Sequence, residues 1–279
     1  MIVEQSKSII AEVNKALVGK QDVVEKALMA IYAGGHILLE DVPGTGKTTL
    51  ALALSKALDL GYKRVQFTPD TMPSDITGFT MFNRETNEFS FTWGAVNCNL
   101  LLADEINRTS AKTQSALLEV MEELSVTVDG VTRMVPRPFV CIATENPVGS
   151  AGTQPLPDSQ LDRFMVRLSI GYPSTQDQVN ILKAKRYSNP LDDIKPKVSR
   201  DDLMGVQNFL GNVQIADSVL DYIVRLGEET RNASLVELGV SHRGIIALAR
   251  MARACALIRE RDFVTPEDVR EVFTAVCAH

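Results

Sequence analysis

The clearest chemical motif of the sequence is a candidate phosphate-binding loop at residues 41–49, Asp-Val-Pro-Gly-Thr-Gly-Lys-Thr-Thr. It follows a short apolar run at 36–40 and precedes a segment of helical composition at 50–58. In a strand–loop–helix unit of this kind, backbone N–H groups and the positive end of the helix dipole surround phosphate oxygens. Lys47 would then reach the β- and γ-phosphates, and the Thr48 hydroxyl would ligate Mg²⁺. The alternative is an ordinary glycine-rich turn between a strand and a helix.

The predicted nucleotide-binding residues of this loop are Pro43, Gly44, Thr45, Gly46, Lys47, Thr48 and Thr49. The sequence departs from the usual motif at its first position, where Asp41 stands in place of glycine. Aspartate tolerates a left-handed backbone conformation better than most residues, so we expect the loop to form with Asp41 in such a turn.

Two further apolar runs end in polar residues that suit a nucleotide hydrolase. Residues 99–103 are followed by Asp104 and Glu105, and the run at 138–144 leads to Asn146. Beside a phosphate loop, Asp104 would hold Mg²⁺ and Glu105 would orient and deprotonate the attacking water. Asn146 would hydrogen-bond that water or the γ-phosphate. Taken singly, each motif is also compatible with a polar turn after a strand.

Eight segments of the sequence resemble the MoxR family of AAA+ ATPases, and the resemblance extends over nearly the whole chain. The most specific are Pro73-Ser74-Asp75-Ile76-Thr77-Gly78 and Asp104-Glu105-Ile106-Asn107-Arg108. The others are Val18–Gln21, Glu40–Thr49, Gln66–Asp70, Ala143–Pro147, Gln160–Phe164 and Val264–Val269. The resemblance implies ATP and Mg²⁺ as cofactors.

The resemblance also implies roles for particular residues. By that likeness Val18 and Gly19 flank the adenine, and Asn146 is the sensor-1 residue. Arg163 resembles the arginine finger, which completes the site of a neighbouring subunit. Arg243 resembles sensor 2, and whether it acts in cis or in trans stays open.

Two residues depart from the family pattern. His242 stands where relatives often carry proline, so the helix entry there is expected to differ slightly. Glu145 stands where relatives often carry glutamine, and its added charge near the γ-phosphate is expected to alter hydrolysis in a direction that the sequence leaves open.

Composition places the chain among ordinary globular proteins. Its 279 residues predict two domains, and the hydrophobic and charged fractions are 45% and 23%. No apolar run is long enough to span a bilayer, and the N-terminus lacks the pattern of a signal peptide. Four widely spaced cysteines form no metal motif, which favours reduced thiols and a cytoplasmic location. The net charge of −6 makes a dominant nucleic-acid surface unexpected.

The chain is predicted to divide near residues 171–174. Residues 1–170 alternate strands and helices, which predicts an α/β P-loop core with a parallel sheet covered on both faces by helices. Helices are expected at about 2–16 and 21–34. Residues 175–279 predict an all-helical lid, and the resemblance identifies it as an AAA+ lid.

Two alternating apolar and polar segments within the core, at about 79–93 and 125–134, predict β-hairpin insertions. Relatives carry hairpins at both places and point them toward a central channel. Near the start of the lid, Lys195, Lys197 and Arg200 cluster around a proline, and we expect a solvated loop there.

Together these features predict a Mg²⁺-dependent ATPase that works as a homo-oligomeric ring, most simply a hexamer, and remodels protein clients. The resemblance implies a partner with a von Willebrand A domain and a role in maturing or assembling other proteins. One alternative is a nucleic-acid motor of the kind found in restriction or replication machines, although those usually carry more basic hairpins. A second is a nucleotide-switch scaffold that hydrolyses ATP only slowly.

Overall fold

The computed structural model describes residues 2–85, 87–146, 155–185 and 189–279, so Pro147 of the motif quoted above lies outside it. Nine strands occur in the described residues: β1 (Ile37–Glu40), β2 (Tyr62–Gln66), β3 (Gly78–Asn83), β4 (Glu88–Trp93), β5 (Leu100–Asp104), β6 (Ser125–Val128), β7 (Val131–Met134), β8 (Val140–Glu145) and β9 (Val166–Leu168).

Helices occur throughout the described residues, and the five from α7 to α11 all follow the last strand. The helices are α1 (Ile2–Asn14), α2 (Gln21–Tyr32), α3 (Lys47–Ala57), α4 (Pro73–Thr77), α5 (Ala111–Glu123), α6 (Asp158–Leu161), α7 (Thr175–Lys185), α8 (Arg200–Phe209), α9 (Asp217–Asn232), α10 (His242–Ile258) and α11 (Pro266–Cys277).

Five strands form one parallel sheet in the order β2-β5-β8-β1-β9. Strands β5 and β8 are buried along their whole length, because helices and loops cover both faces. Parallel strands end at the same edge, so residues that follow β1, β5 and β8 meet there. The α/β fold class with a following helical part is therefore confirmed.

The two hairpins are separate antiparallel pairs, β3 with β4 and β6 with β7. The turn between β6 and β7 is Asp129-Gly130, and both residues have positive φ angles, +51° and +74°, as a tight two-residue hairpin requires. The Arg133 guanidinium lies 4.0 Å from the ring centroid of Phe91, so a cation–π contact joins the two hairpins.

Helix ends differ slightly from the predicted positions. Helix α1 ends at Asn14 and α2 at Tyr32, two residues earlier than predicted in each case. After α2 the backbone of Gly34 takes a φ of +67°, which stops the helix. At Gly35 an added Cβ would lie 2.4 Å from the Met165 sulfur, so close packing against the start of β9 requires glycine.

His36, which precedes β1, is a structural residue. Its Nε2 bonds the Met121 carbonyl at 3.0 Å, and its Nδ1 accepts a hydrogen bond from the Cys141 N–H at 3.0 Å. Burial lowers the pKa of His36 to about 4, so the ring is neutral at pH 7.

The helical part and the α/β core share one cluster of buried side chains, which includes Val13 of α1, Leu28 of α2 and Met251 of α10. A buried carboxylate, Glu12, adds a polar connection, since Lys15 and Lys197 each place a nitrogen 2.9 Å from it. Lys197 lies on an exposed segment, as predicted for this loop, while its ammonium pairs with the buried Glu12. In the described residues, no helix has an apolar stretch that could cross a membrane.

Candidate nucleotide site

The phosphate loop connects the end of β1 to the start of α3. Gly44 and Gly46 have φ angles of +86° and +103°, a conformation that side chains with a Cβ rarely adopt. Lys47 and Thr48 open the first turn of α3, where the backbone N–H groups have no partner within the helix. The loop thus presents free N–H donors and a helix N-terminus to the same volume, which suits phosphate oxygens.

Asp41 occupies its place in the loop for a different reason from the predicted one. The φ angle of Asp41 is not positive, so the prediction of a left-handed turn at this residue is wrong. Its carboxylate is buried and accepts hydrogen bonds from the N–H groups of Val42 and Gly171 and from the Ser169 hydroxyl. The residue therefore stands at this position for its side chain and not for its backbone conformation.

The Lys47 ammonium is buried among oxygen atoms at the carboxyl edge of the sheet. It donates to the carbonyls of Asp41 and Glu145 and to Oδ1 of Asn146, the last at 3.1 Å. Burial lowers the pKa of Lys47, and the nearby carboxylates of Asp41, Asp104 and Glu105 oppose that shift. A phosphate group would offer this ammonium stronger acceptors than neutral carbonyl and amide oxygens.

Asp104 ends β5 beside this ammonium and is held from two directions. Its Oδ1 accepts a hydrogen bond from the Thr144 hydroxyl at 2.6 Å, and its Oδ2 accepts two from Arg64, at 2.6 and 3.2 Å. Arg64 lies on β2, the strand paired with β5, and no feature of the sequence singled it out. A cation bound at Asp104 would share the carboxylate with this guanidinium.

The donor set fits a magnesium ion. Mg²⁺ prefers oxygen ligands and is commonly bound through one or two protein oxygens together with substrate phosphates. The Asp104 carboxylate and the Thr48 hydroxyl are such oxygens, and Thr48 lies in the first turn of α3, directly after Lys47. Thr48 and Asp104 are therefore the residues that would hold Mg²⁺.

Glu105 and Asn146 form a connected network with Lys47. Asn146 accepts from Lys47 through Oδ1 and donates through Nδ2 to Oε1 of Glu105 at 3.0 Å. The other carboxylate oxygen of Glu105 accepts from Arg108 at 2.7 Å. Glu105 has a φ of +57°, a strained backbone for a glutamate, of the kind found at functional sites. One amide side chain thus connects the candidate phosphate ligand to the candidate base.

Glu145 differs from its neighbours because its side chain is buried at the end of β8. Burial raises the pKa of Glu145 to about 7; the Leu156 backbone N–H opposes this shift, and Glu40 adds to it. Its Oε1 has no hydrogen-bond partner in the described residues. A pKa near neutrality means that this carboxyl adds less negative charge at pH 7 than a surface glutamate would.

Val18 and Gly19 lie between the phosphate loop and α7. Leu17 is in contact with the loop, since an added Cβ on Gly46 would lie 3.1 Å from its Cδ1. Gly19 has a φ of +75°, and an added Cβ there would lie 2.3 Å from Oδ2 of Asp177 in α7. Val18 and Gly19 therefore lie near both the phosphate loop and α7.

Arg163 and Arg243 lie together, at the edge of the sheet opposite the phosphate loop. Both pair with Glu122: Arg243 Nη2 donates to its Oε1, and Arg163 Nε lies 3.5 Å from its Oε2. The two arginines line a cavity of about 730 Å³ that also includes His36, which precedes β1. The four residues of β1 separate His36 from Asp41, so the two Cα atoms lie five extended steps apart, a distance of about 16 Å. Within the part of the chain that the structure describes, no phosphate-loop residue lines that cavity.

The orientation of Arg243 is set by the start of α10. Ser241 caps that helix by accepting from the Gly244 N–H at 2.9 Å, and its hydroxyl donates to Asp162. Asp162 adjoins Arg163 in sequence, so one hydrogen bond connects the two arginine-bearing segments. Glu122, like Arg64, was not singled out by the sequence, because an exposed glutamate at the end of α5 carries no signal of what it faces.

Family models match both parts of the chain. The model described as ATPase family associated with various cellular activities (AAA) matches residues 36–166. The AAA lid domain model matches residues 228–279. The first match contains Lys47, Asp104, Glu105, Asn146 and Arg163, and the second contains Arg243.

Individual relatives extend the match to nearly the full chain. The chain is 48% identical over 261 residues to the uncharacterized protein YeaC of Bacillus subtilis, covering 94% of this chain and 82% of that protein. It is 39% identical over 279 residues to the chaperone MoxR1 of Mycobacterium tuberculosis, covering 97% and 74% respectively. A crystal structure of a candidate ATPase from Cytophaga hutchinsonii superposes with a TM-score of 0.90 at 38% identity, covering 99% of this chain and 86% of that one. With this site geometry, fold and set of relatives, the chain belongs to the MoxR family of AAA+ ATPases.

Proposed function

We propose that this protein is a Mg²⁺-dependent ATP hydrolase that assembles into a ring and remodels protein clients in a chaperone-like way. The observation that carries the proposal is the convergence of Lys47, Asp104, Glu105 and Asn146 at one edge of the sheet, with Arg163 and Arg243 exposed at the other. Each chain would thus present the phosphate-binding part of a site on one surface and the arginine part on the opposite surface. Neighbouring copies in a ring would bring these parts together.

Binding is proposed to begin with an exchange of partners at Lys47. Its ammonium leaves the carbonyls of Asp41 and Glu145 for the β- and γ-phosphates, while N–H groups of the loop surround the phosphate oxygens. Mg²⁺, held through Thr48 and Asp104, would neutralise negative charge on those oxygens. Val18 and Gly19 would contact the adenine.

Hydrolysis is proposed to use Glu105 as the general base. Its carboxylate takes a proton from the attacking water, and Asn146, already bonded to Glu105, fixes the direction of that water toward the γ-phosphate. Arg108 holds the second oxygen of Glu105 and orients the carboxylate. In-line attack would form the bond from the water oxygen to the γ-phosphorus while the bond to the bridging oxygen breaks, so that ADP leaves and phosphate is released. Cations around the γ-phosphate would stabilise the developing charge.

Arg163 and Arg243 are proposed to act in trans, on the nucleotide of the neighbouring subunit. The two side chains are 31% and 45% exposed and line a cavity that lies away from the phosphate loop of their own chain. Their shared partner Glu122 is itself 41% exposed, so a phosphate can replace it at modest cost. For Arg243, this exposed position favours action in trans over action in cis, a choice that the sequence left open.

The protein-remodelling part of the proposal is supported by a relative and by the hairpins. The relative from M. tuberculosis is named a chaperone. Phe79, Met81, Phe82 and Phe89 on the first hairpin are each 45–75% exposed, an apolar surface that suits contact with exposed hydrophobic segments of a client. We further propose a hexamer, a partner with a von Willebrand A domain, and a cytoplasmic location.

Replacing Glu105 by glutamine is expected to preserve ATP binding and to lower turnover by about 10²- to 10⁴-fold, the usual contribution of a general base. Glutamine keeps an oxygen for Arg108 and is of the same size, so the fold should persist. Bound labelled ATP and released phosphate are measured on the same samples. Glu119→Gln, which changes an exposed carboxylate on α5, is the matched control. Phosphate release by Glu105→Gln at the control rate would remove Glu105 from the mechanism.

Mixing two inactive variants tests trans action. Arg163→Ala and Lys47→Ala should each lose activity, since a finger supplied by a neighbour contributes about 10³- to 10⁵-fold in P-loop enzymes. Equal mixing should restore up to about a quarter of wild-type activity, because intact halves meet at about one interface in four. A mixture of Arg243→Ala with Lys47→Ala should recover activity to the same extent. Arg225→Ala, on the surface of α9, is the control variant and should stay active. No recovery in mixed rings of confirmed mass would contradict trans action.

Protein clients and nucleic acids are distinguished by their effect on turnover. With a net charge of −6 and few cations on the hairpins, single-stranded DNA, duplex DNA and RNA should leave the ATPase rate unchanged at about 150 mM salt. A co-purified protein partner should raise it severalfold. Stimulation by a nucleic acid that disappears when Arg84 and Arg133 are changed to glutamate would favour the motor alternative.

A further inference from the structure

Asp41 connects the phosphate loop to the segment that leads into α7. Its Oδ2 accepts a hydrogen bond from the Gly171 N–H at 2.6 Å and a second from the Ser169 hydroxyl at 3.2 Å. Its Oδ1 accepts from the Val42 N–H at 2.8 Å. The residue is 7% exposed, so these charge-assisted bonds are shielded from water.

The main chain of the same residue contacts the candidate phosphate ligand. The Asp41 carbonyl accepts from the Lys47 ammonium, and the Asp41 N–H donates to the Glu145 carbonyl at 3.3 Å. When Lys47 turns toward a phosphate, the first of these bonds is lost, and the Asp41 backbone is free to shift. Any such shift acts on Gly171 through the carboxylate.

The segment that Asp41 contacts through its carboxylate, from Gly171 into α7, is loosely packed and can follow a shift of Asp41. Gly171 has a φ of +65°, a conformation suited to a hinge between β9 and α7. None of the α7 residues 175–183 is buried. Contacts between this segment and the core include the proximity of Gly19 to Asp177 and a 2.9 Å hydrogen bond from Lys20 to the Tyr172 carbonyl. A helix with so few packed side chains has a low local stability.

We propose that Asp41 is a positioning residue that transmits occupancy of the phosphate loop to α7, so that nucleotide binding orders this helix beside the nucleotide. The proposal rests on the proposed nucleotide binding and extends it to the control of one element. A glycine at position 41 would allow the loop to form but would lack the connection to Gly171. The aspartate therefore replaces the usual glycine because it couples loop and hinge.

Hydrogen exchange of the α7 amides, with and without Mg²⁺ and ADP, tests the coupling. In the wild-type protein, nucleotide should slow exchange over residues 172–183 by on the order of tenfold. In Asp41→Gly the same nucleotide should bind but change that exchange by no more than about twofold. Two milder variants, Asp41→Asn and Ser169→Ala, keep part of the hydrogen-bond set. In each of them nucleotide should slow the exchange by an intermediate amount, and they replace Asp41→Gly in the test if that variant does not fold.

A second variant separates coupling from simple loss of structure. Ser174 caps α7 by accepting from the Asp177 N–H at 3.1 Å, so Ser174→Ala should speed exchange of α7 in both states and leave the effect of nucleotide intact. Binding of a fluorescent ADP is measured for every variant. Failure of the wild-type protein to bind it would overturn the proposed function. Normal binding with an unchanged nucleotide effect in Asp41→Gly would overturn the role of Asp41 alone.

Discussion

The buried ammonium of Lys47 is the interaction on which the rest of the site depends. A cation in this position must be surrounded by oxygen atoms, and the ends of β1 and β8 supply them through the carbonyls of Asp41 and Glu145 and the amide of Asn146. Those acceptors are neutral, so the ammonium keeps most of its attraction for a phosphate. The parallel sheet is what brings the acceptors together, because its strands end at one edge.

The opposite edge of the same sheet carries the complementary chemistry. Arg163 precedes β9 and Arg243 opens α10, and their proximity depends on the packing of α10 and α11 against the α/β core. The shared cluster of buried side chains fixes that packing. This packing would hold the proposed nucleotide-binding surface and the arginine surface of each chain in a fixed relation. Repetition of such a pair of surfaces generates a ring or a helix of subunits.

The sequence predicted the catalytic edge because local patterns determine it. An apolar run followed by Gly-Lys-Thr, Asp-Glu or Asn indicates a strand end, and parallel strands place such ends together. Arg64 and Glu122 could not be predicted, because their partners are set by strand order and helix packing between distant segments. Asp41 was recognised as unusual but for the wrong reason, since its bond to Gly171 spans 130 residues of chain.

The active site is proposed to be complete only between two copies of the chain. This proposal is tested most directly by measuring phosphate release per chain over a range of protein concentrations at saturating Mg²⁺ and ATP, with the assembly mass determined at each concentration. We expect activity per chain to rise in proportion to the assembled fraction and to vanish in the monomeric range. Activity per chain that stays constant when only monomers are present would contradict it.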